Sequence, residues 1–398
     1  AGVTGVALAE CAAIGSMLAP SMVRQGYPGG FTSAVIAGSA VMGPIIPPSV
    51  AMLVFAYVYG GGISVGKLFL MGIIPGVLVG LTMMAFVAFF AISVDERRMK
   101  AMLLALAAGA LVLCAGALAS QFGLGHWDQA SRFGGTGAFA GYALAVAPAL
   151  ALLGFYFRDA RLRRLSLALL GLLLLTGFFC LQRVIWPVLF LQAAVALLLY
   201  RKALRLSVMR AAAALIALAL IASAVLALTQ TTRYAEGAPS NTAMSNDDRQ
   251  AFWPKVAGRI LEHPWSGAGF GRGVMNKAYP DLIPRENTLL WHAHNVVLNY
   301  GLSMGVPGML ALLLVFAALL REYARFWQSG DTGLRMIGAC GMLLVLGVFS
   351  RNMANDMFVR DAALLFWALN GMLLGFGRRQ LAARPRESRP PGRWERRK

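Results

Sequence analysis

Long apolar runs alternate with short arginine-rich connections along almost the whole chain. From Met99 onward the runs predict helices near 100–118, 137–157, 165–181, 184–200, 210–229, 295–320, 335–350 and 362–377. Each is close to the length that crosses about 30 Å of hydrocarbon. The connections alternate in charge. Arg97, Arg98 and Lys100, then Arg158, Arg161, Arg163 and Arg164, then Arg201, Lys202, Arg205 and Arg210, then Arg321, Arg325 and Arg335, and finally the tail, share one side. The intervening short connections carry only Arg132, Arg183, Arg351 and Arg360. Lys and Arg are retained on the cytoplasmic side, so Arg183, the long polar loop 230–293 and the start of the next helix are expected on the opposite, extracytoplasmic face.

Residues 1–95 have a different texture. A Gly- and Ala-rich helix from Gly2 to Val23 leads into an apolar stretch broken by Gly43-Pro44-Ile-Ile-Pro47-Pro48-Ser49, followed by a span from Leu68 to Ser93. Proline cannot continue a helix, and backbone freed at membrane depth must line a protein-buried or watered site. Gly43, Pro44, Pro47, Pro48 and Ser49 therefore predict the tip of a re-entrant hairpin. The expected fold is an all-α polytopic integral membrane protein: about ten transmembrane helices, one proline-broken hairpin and one large periplasmic loop. Inside that loop Phe252, Val256 and Ile260 recur every fourth residue, which predicts a short amphipathic helix lying on the membrane face, with Pro254 in its first turn.

Composition agrees and narrows the class. The 398 residues are 58% hydrophobic and 13% charged, with a mean hydropathy of +0.66. Net charge is +19, but residues 378–398 alone hold nine basic and two acidic side chains. That segment reads as a cytoplasmic tail held by anionic membrane lipids, and no aromatic-interleaved basic fold accompanies it to suggest nucleic acid. Cys11, Cys114, Cys180 and Cys340 are scattered through apolar segments, so neither a disulfide framework nor a thiolate metal site is expected. The first residues show no n-region or cleavage site, and no signal peptide is expected.

Candidate chemistry gathers around the long loop. His294-Asn295, nine further residues, Gly305, two more and Gly308 begin where the chain returns to the membrane. Histidine suits proton transfer, with an unperturbed pKa of about 6.5. Arg183 and Arg249 supply planar, bidentate cations suited to a phosphate group. Blander roles stand beside these. Arg183 can snorkel at a helix end, Arg249 can pair with Asp247 or Asp248 in solvent, and His294 can cap the following helix. His292-x-His294 invites a metal reading, yet no third ligand at suitable spacing stands out, so no metal and no other cofactor is expected. Gly267 to Gly273 follows no strand, so it reads as flexible turns rather than a dinucleotide loop.

Two family resemblances follow from these residues. Residues 1–95 resemble the large permease subunit of TRAP transporters, the DctM-like family, through Ala19-Pro-Ser-Met22, Gly26-Tyr27, the Gly43–Ser49 tip and Leu68-Phe-Leu-Met-Gly-Ile-Ile-Pro-Gly76. Such permeases have two related halves with a hairpin in each, and no second proline-broken hairpin follows Ser93. Residues from about 99 to 380 resemble the O-antigen ligases and related Wzy-type polymerases. The shared features are Arg132-Phe-Gly-Gly-Thr-Gly137, Gln182-Arg183 where that family usually has Ser-Arg, Arg249 with Trp253, His263-Pro-Trp-Ser-Gly-Ala-Gly-Phe-Gly271, and the His294 motif.

The second resemblance implies a membrane glycosyltransferase. Its donor would be a glycan on undecaprenyl pyrophosphate, its acceptor the lipid A core or another glycan hydroxyl, and its active face the periplasmic side of a bacterial inner membrane. In that scheme His294 is the base, Arg183 and Arg249 hold the pyrophosphate, and Asn295 orients the histidine. Asp356 orients an arginine or the acceptor, while Gly305 and Gly308 let a neighbouring helix approach. The expected divisions are a permease-like fragment at 1–95, a ligase-like membrane domain at 96–377 and a basic tail at 378–398. Two alternatives remain: an incomplete TRAP-type component, with a small subunit or binding protein as partner, and an inactive fusion.

Overall fold

The computed structural model describes residues 6–27, 29–40, 42–59, 64–93, 95–123, 136–180, 182, 184–201, 205, 207–235, 246–269, 274–283, 292–354 and 360–383. Among these the chain is helical, with no strand. In order it forms α1 (Ala7–Arg24), α2 (Gly29–Ala40), α3 (Val50–Tyr59), α4 (Val65–Ile92), α5 (Glu96–Gly123), α6 (Thr136–Tyr156) and α7 (Ala160–Phe179). Then follow α8 (Ile185–Tyr200), α9 (Val208–Ala235), α10 (Asn246–Glu262), α11 (Val274–Ala278), a 3-10 turn (Pro280–Leu282), α12 (Val296–Trp327), α13 (Thr332–Ala354) and α14 (Arg360–Ala382). Every apolar run predicted from Met99 onward is a helix. Among the described residues six helices, α5, α6, α7, α9, α12 and α13, are long and apolar enough to cross a membrane, and α8 is a shorter apolar helix.

The chain divides into two compact units. The first holds residues 1–92 with residues 363–372 of α14. Here α2 and α3 have 12 and 10 residues, or roughly 18 and 15 Å of helix, so neither alone crosses a bilayer. They meet at the proline-rich tip. Ser49 is fully buried there; its Oγ donates to the Pro44 carbonyl at 2.6 Å and accepts from Met52 N at 3.2 Å, so it caps α3. The Pro47–Pro48 peptide bond is cis. Gly43 faces Glu10 of α1: a Cβ on Gly43 would lie 2.7 Å from the Glu10 carboxylate, itself only 3% exposed. Stacked Phe31 and Phe90, 4.3 Å apart, tie α2 to α4.

The second unit holds residues 93–362 and 373–398. Some of the polar side chains its helices bury are bonded across helices. Gln192 of α8 donates to Leu144 O of α6 and Leu343 O of α13, both at 2.9 Å. Ser166 of α7 donates to Leu150 O of α6 at 2.5 Å. In hydrocarbon such bonds replace water that is not there. Outward faces remain apolar: Ile216, Leu220 and Ile221 of α9 are all more than 60% exposed, as lipid contact requires.

Two ends of this unit are chemically distinct. At one, Tyr156 donates to Glu96 at 3.2 Å and accepts from Gln380 at 2.7 Å, and Glu322 joins Arg378 at 2.9 Å and Arg325 at 3.1 Å. Asp159 caps α7 there; the Arg161 backbone N–H it accepts holds its carboxyl below the ordinary value. At the other end Cys180 Sγ contacts Thr136 O at 2.9 Å, Gln182 Nε2 donates to Thr136 Oγ1 at 2.9 Å, and Asn295 Nδ2 donates to Met353 O at 3.2 Å. The start of α6, the end of α7, the start of α12 and the end of α13 therefore share one end, as the alternating basic connections require.

Candidate functional site

His294 stands at this second end, immediately before α12, in a left-handed backbone conformation (φ 51°). Histidine tolerates this region better than most residues, and both neighbours hold it there. Ala293 is fully buried: its N–H donates to the Asn299 side chain and its carbonyl accepts from Trp253 Nε1, each at 2.9 Å. On the other side Asn295 is the N-cap of α12, its Oδ1 accepting from Val297 N at 2.9 Å and Leu298 N at 3.1 Å. The capping role open to His294 in the sequence thus belongs to Asn295. With its amide also donating to Met353 O, Asn295 acts on the histidine by fixing where the helix begins. The His292 and His294 rings meet edge to face at 3.8 Å, with His292 buried and His294 half-buried.

The glycines of the motif have another reason than a neighbouring helix. Gly305 takes φ 67° and ψ −166° and breaks α12. Two carbonyls lose their helical partners as a result: Leu302 O, because Val306 N turns away, and Ser303 O, because Pro307 has no N–H. The loop after α10 completes all the bonds. Ala268 N donates to Leu302 O at 2.8 Å, Gly269 N donates to Ser303 O at 3.0 Å, and Val306 N donates to Pro264 O at 2.7 Å. A Cβ on Gly305 would collide with the Pro264 carbonyl, and one on Gly267 would lie 2.5 Å from the Ser303 carbonyl carbon. Gly308 is tight against its own helix, with Met304 Cβ 2.5 Å from where its Cβ would be. The close approach at Gly305 is therefore that of a loop, which corrects the helix-packing expectation. The described part of the glycine-rich run, Gly267 to Gly269, is a fixed clamp on α12 rather than a flexible turn.

Helix α10 also departs from expectation. It begins at Asn246, so Pro254 lies inside it and not in its first turn. Its apolar stripe faces protein: Phe252, Val256 and Ile260 are at most 5% exposed and pack with Met275, Tyr279, Leu282, Ala293 and Leu302. The loop segment offers enough apolar partners to bury the stripe without lipid. Arg259 ties the end of α10 to Glu262 at 2.9 Å and to Asp281; these hydrogen bonds, Glu262 first, raise the guanidinium above its ordinary value.

Trp253 brings α10 to the backbone beside His294, and position 249 lies one helical turn earlier on the same face. The Arg249 side chain, Arg183 and Asp356 lie outside the described residues. Sequence reasoning overlooked three polar residues, two of them buried. Asn299 clamps Ala293. Glu10 was legible as a lone acid in an apolar helix, the usual sign of a working group in a membrane segment. Arg351 reads as an ordinary connection residue, yet it is 1% exposed.

Fold and site define a multi-pass helical membrane protein with a conformationally fixed histidine at the mouth of its largest loop. The chain belongs to the family of the tripartite ATP-independent periplasmic transporter DctM component, whose model matches residues 1–238, and the O-antigen ligase model matches residues 181–313. The two matches share residues 181–238, and the second includes α10 and the His294 start of α12.

Known relatives align with a limited part of the chain. The C4-dicarboxylate TRAP transporter large permease protein DctM of Pseudomonas aeruginosa is 42% identical over 84 residues, 21% of this chain and 19% of that protein. The isethionate TRAP transporter permease protein DctMQ of Oleidesulfovibrio alaskensis is 42% identical over 86 residues, 22% of this chain and 13% of that protein. The 2,3-diketo-L-gulonate TRAP transporter large permease protein YiaN of Escherichia coli is 38% identical over 84 residues, 21% of this chain and 19% of that protein. The chain thus spans a fifth or less of the length of these relatives.

Proposed function

We propose that the second unit is a membrane glycosyltransferase that moves a glycan from undecaprenyl pyrophosphate to an acceptor hydroxyl, of lipid A core or another glycan, at the periplasmic face of the inner membrane. The observation that supports this reading is the rigid presentation of His294, clamped through Ala293 and Asn295 and left half-exposed beside α10. The acceptor oxygen attacks the anomeric carbon as its proton passes to His294, and the bond from that carbon to the pyrophosphate oxygen breaks. Attack opposite the leaving group inverts the anomeric centre in one step. Arg249 and Arg183 hold the departing pyrophosphate, whose charge grows as the bond breaks.

The test is transfer from a polyprenyl pyrophosphate donor in detergent, without added metal and again with chelator. Arg249→Ala is expected to weaken donor binding and transfer together, because the contact exists in ground and transition states. Arg249→Lys recovers little, because a point charge does not reproduce the guanidinium fork. Full transfer by a folded Arg249→Ala protein would remove that residue from the site, and loss of activity with chelator alone would move His292 and His294 to metal ligation.

The face is tested separately. A cysteine replacing exposed Ser266 is expected to react with an impermeant thiol reagent from the periplasmic side, and one replacing Ser329 only after the membrane is permeabilised. Buried Cys114, Cys180 and Cys340 should stay silent. Labelling of Ser329→Cys from outside would reverse the orientation.

Transport is the second reading, favoured by the two half-length helices that meet at the Gly43–Ser49 tip against buried Glu10. With one proline-broken hairpin legible in the sequence, this chain alone is expected not to accumulate a small organic anion in proteoliposomes. Sodium-dependent accumulation, lost on Pro47→Ala with Pro48→Ala, would establish the transport reading instead.

A further inference from the structure

Helix α10 carries a second apolar face. Its buried stripe is Phe252, Val256 and Ile260. About half a turn round the helix lie Ala251, Pro254, Gly258 and Leu261, all uncharged and all exposed. Lys255, Arg259 and Glu262 fall on a flank between the two faces, and Arg259 pairs with Glu262. Trp265 follows in the turn after the helix. Leu261 is 73% exposed and Trp265 79%, although the backbone that carries Trp265 is firmly held. Pro264 O accepts from Val306 N at 2.7 Å, and Ala268 N and Gly269 N donate to Leu302 O and Ser303 O.

The depth of this face is set by α12. Arg321, Glu322 and Arg325 mark the end at which α12 leaves hydrocarbon, and between them and Gly305 the side chains of Leu310, Leu313, Leu314 and Val315 are exposed and apolar. Gly305 is sixteen residues from Arg321, at most about 24 Å along the helix axis, which is less than the roughly 30 Å thickness of the hydrocarbon. The turn bonded to Val306 therefore lies no higher than the border of the leaflet opposite Arg321. Tryptophan is favoured at that level, where its ring packs against lipid and its N–H reaches the headgroups. The carbonyls freed at the break are met by Ala268 and Gly269, as a level short of water requires. We propose that Leu261 and Trp265 form a membrane foot, seated among the phospholipids at the interface of that leaflet. The foot holds the end of α10, and with it the clamp on α12, at a fixed depth. Because the level is interfacial, exposed Ser266 beside it stays within reach of water. The inference needs α12 to cross the bilayer and is independent of the glycosyltransferase reading.

The experiment places a nitroxide on Leu261→Cys, Trp265→Cys or Lys277→Cys, each in the full chain with Cys11→Ser, in nanodiscs of phosphatidylethanolamine and phosphatidylglycerol. Buried Cys114, Cys180 and Cys340 should take no label. Lys277 is exposed on α11, which packs through Met275 against the buried face of α10, and it serves as the aqueous reference. Collisions of the nitroxide with oxygen, which concentrates in lipid, are compared with collisions with a water-soluble nickel chelate. The oxygen-to-nickel ratio is expected to be shifted toward oxygen at 261 and 265 relative to 277. Nickel access at 265 equal to that at 277 overturns the proposal. Closure of both positions to both reagents overturns it too, because that is the result of a second copy of the chain, or another protein segment, lying on this face. Should the labelled variants fail to fold, the unaltered protein is tested with a phospholipid carrying a diazirine near its ester group. Cross-links to the segment holding Leu261 and Trp265 then support the foot, and their absence while the exposed leucines of α12 are labelled overturns it.

Discussion

His294→Ala is expected to reduce glycan transfer by about two to four orders of magnitude, the range that loss of a general base costs, while donor binding stays near that of the unaltered protein. The split follows from where the proton is. An acceptor hydroxyl must lose it only as the new bond forms, so the histidine contributes in the transition state and little before it. The fold makes the variant interpretable. The side chains that fix position 294 are Trp253, Asn295 and Asn299, and they hold backbone atoms of neighbouring residues, so removing the imidazole leaves the clamp intact. Transfer at the unaltered rate by a monodisperse His294→Ala protein would end the proposed mechanism. Asn295→Ala provides the contrast: loss of the N-cap should cost about 1 kcal/mol of stability and impair transfer through misplacement of the histidine.

Gly305→Ala is expected to destabilise the region between α10 and α12 by roughly 3–5 kcal/mol, from a backbone conformation nearly exclusive to glycine together with about 1 kcal/mol for each loop bond disturbed. The substituted carbon would have to displace the Pro264 carbonyl, and that carbonyl accepts the Val306 N–H. Hydrogen exchange should quicken at Ala268, Gly269 and Val306 together, and protease should reach the 263–269 loop in the folded protein. Gly258→Ala is the counterpart of opposite sign. A Cβ at Gly258 meets nothing within 4 Å on helix α10, so stability should rise by up to about 1 kcal/mol from helix propensity. Equal thermal stability of Gly305→Ala and Gly258→Ala would contradict the clamp.

Helix existence was legible because apolar length is a local property, and in a membrane the backbone has almost no alternative to the helix. Register within the loop was not. The spacing of Phe252, Val256 and Ile260 announced one apolar face, but a stripe suits lipid and protein equally, and only the partners Met275, Tyr279, Ala293 and Leu302 decide between them. Gly305 was visible as a marked position, and its reason was not: small residues in a helix suggest close packing of helices, whereas φ 67° belongs to a break completed by a loop about forty residues upstream.

The sequence by itself determined the helical membrane class, the order of the helices, the alternation of basic connections and the return of the chain at His294-Asn295. These depend on runs of similar residues and on the local cost of proline and charge in hydrocarbon. The tertiary structure alone decided that Asn295 caps α12 while Trp253 and Asn299 clamp Ala293, that Gly267–Gly269 locks onto the carbonyls freed by Gly305 and Pro307, and that Arg351 is buried against the start of α6. Each of those pairs residues far apart in the chain or turns one side chain toward a particular neighbour. Hydrogen-bond satisfaction in a water-free interior selects among such pairings, and it acts on positions in space that local residue spacing does not encode.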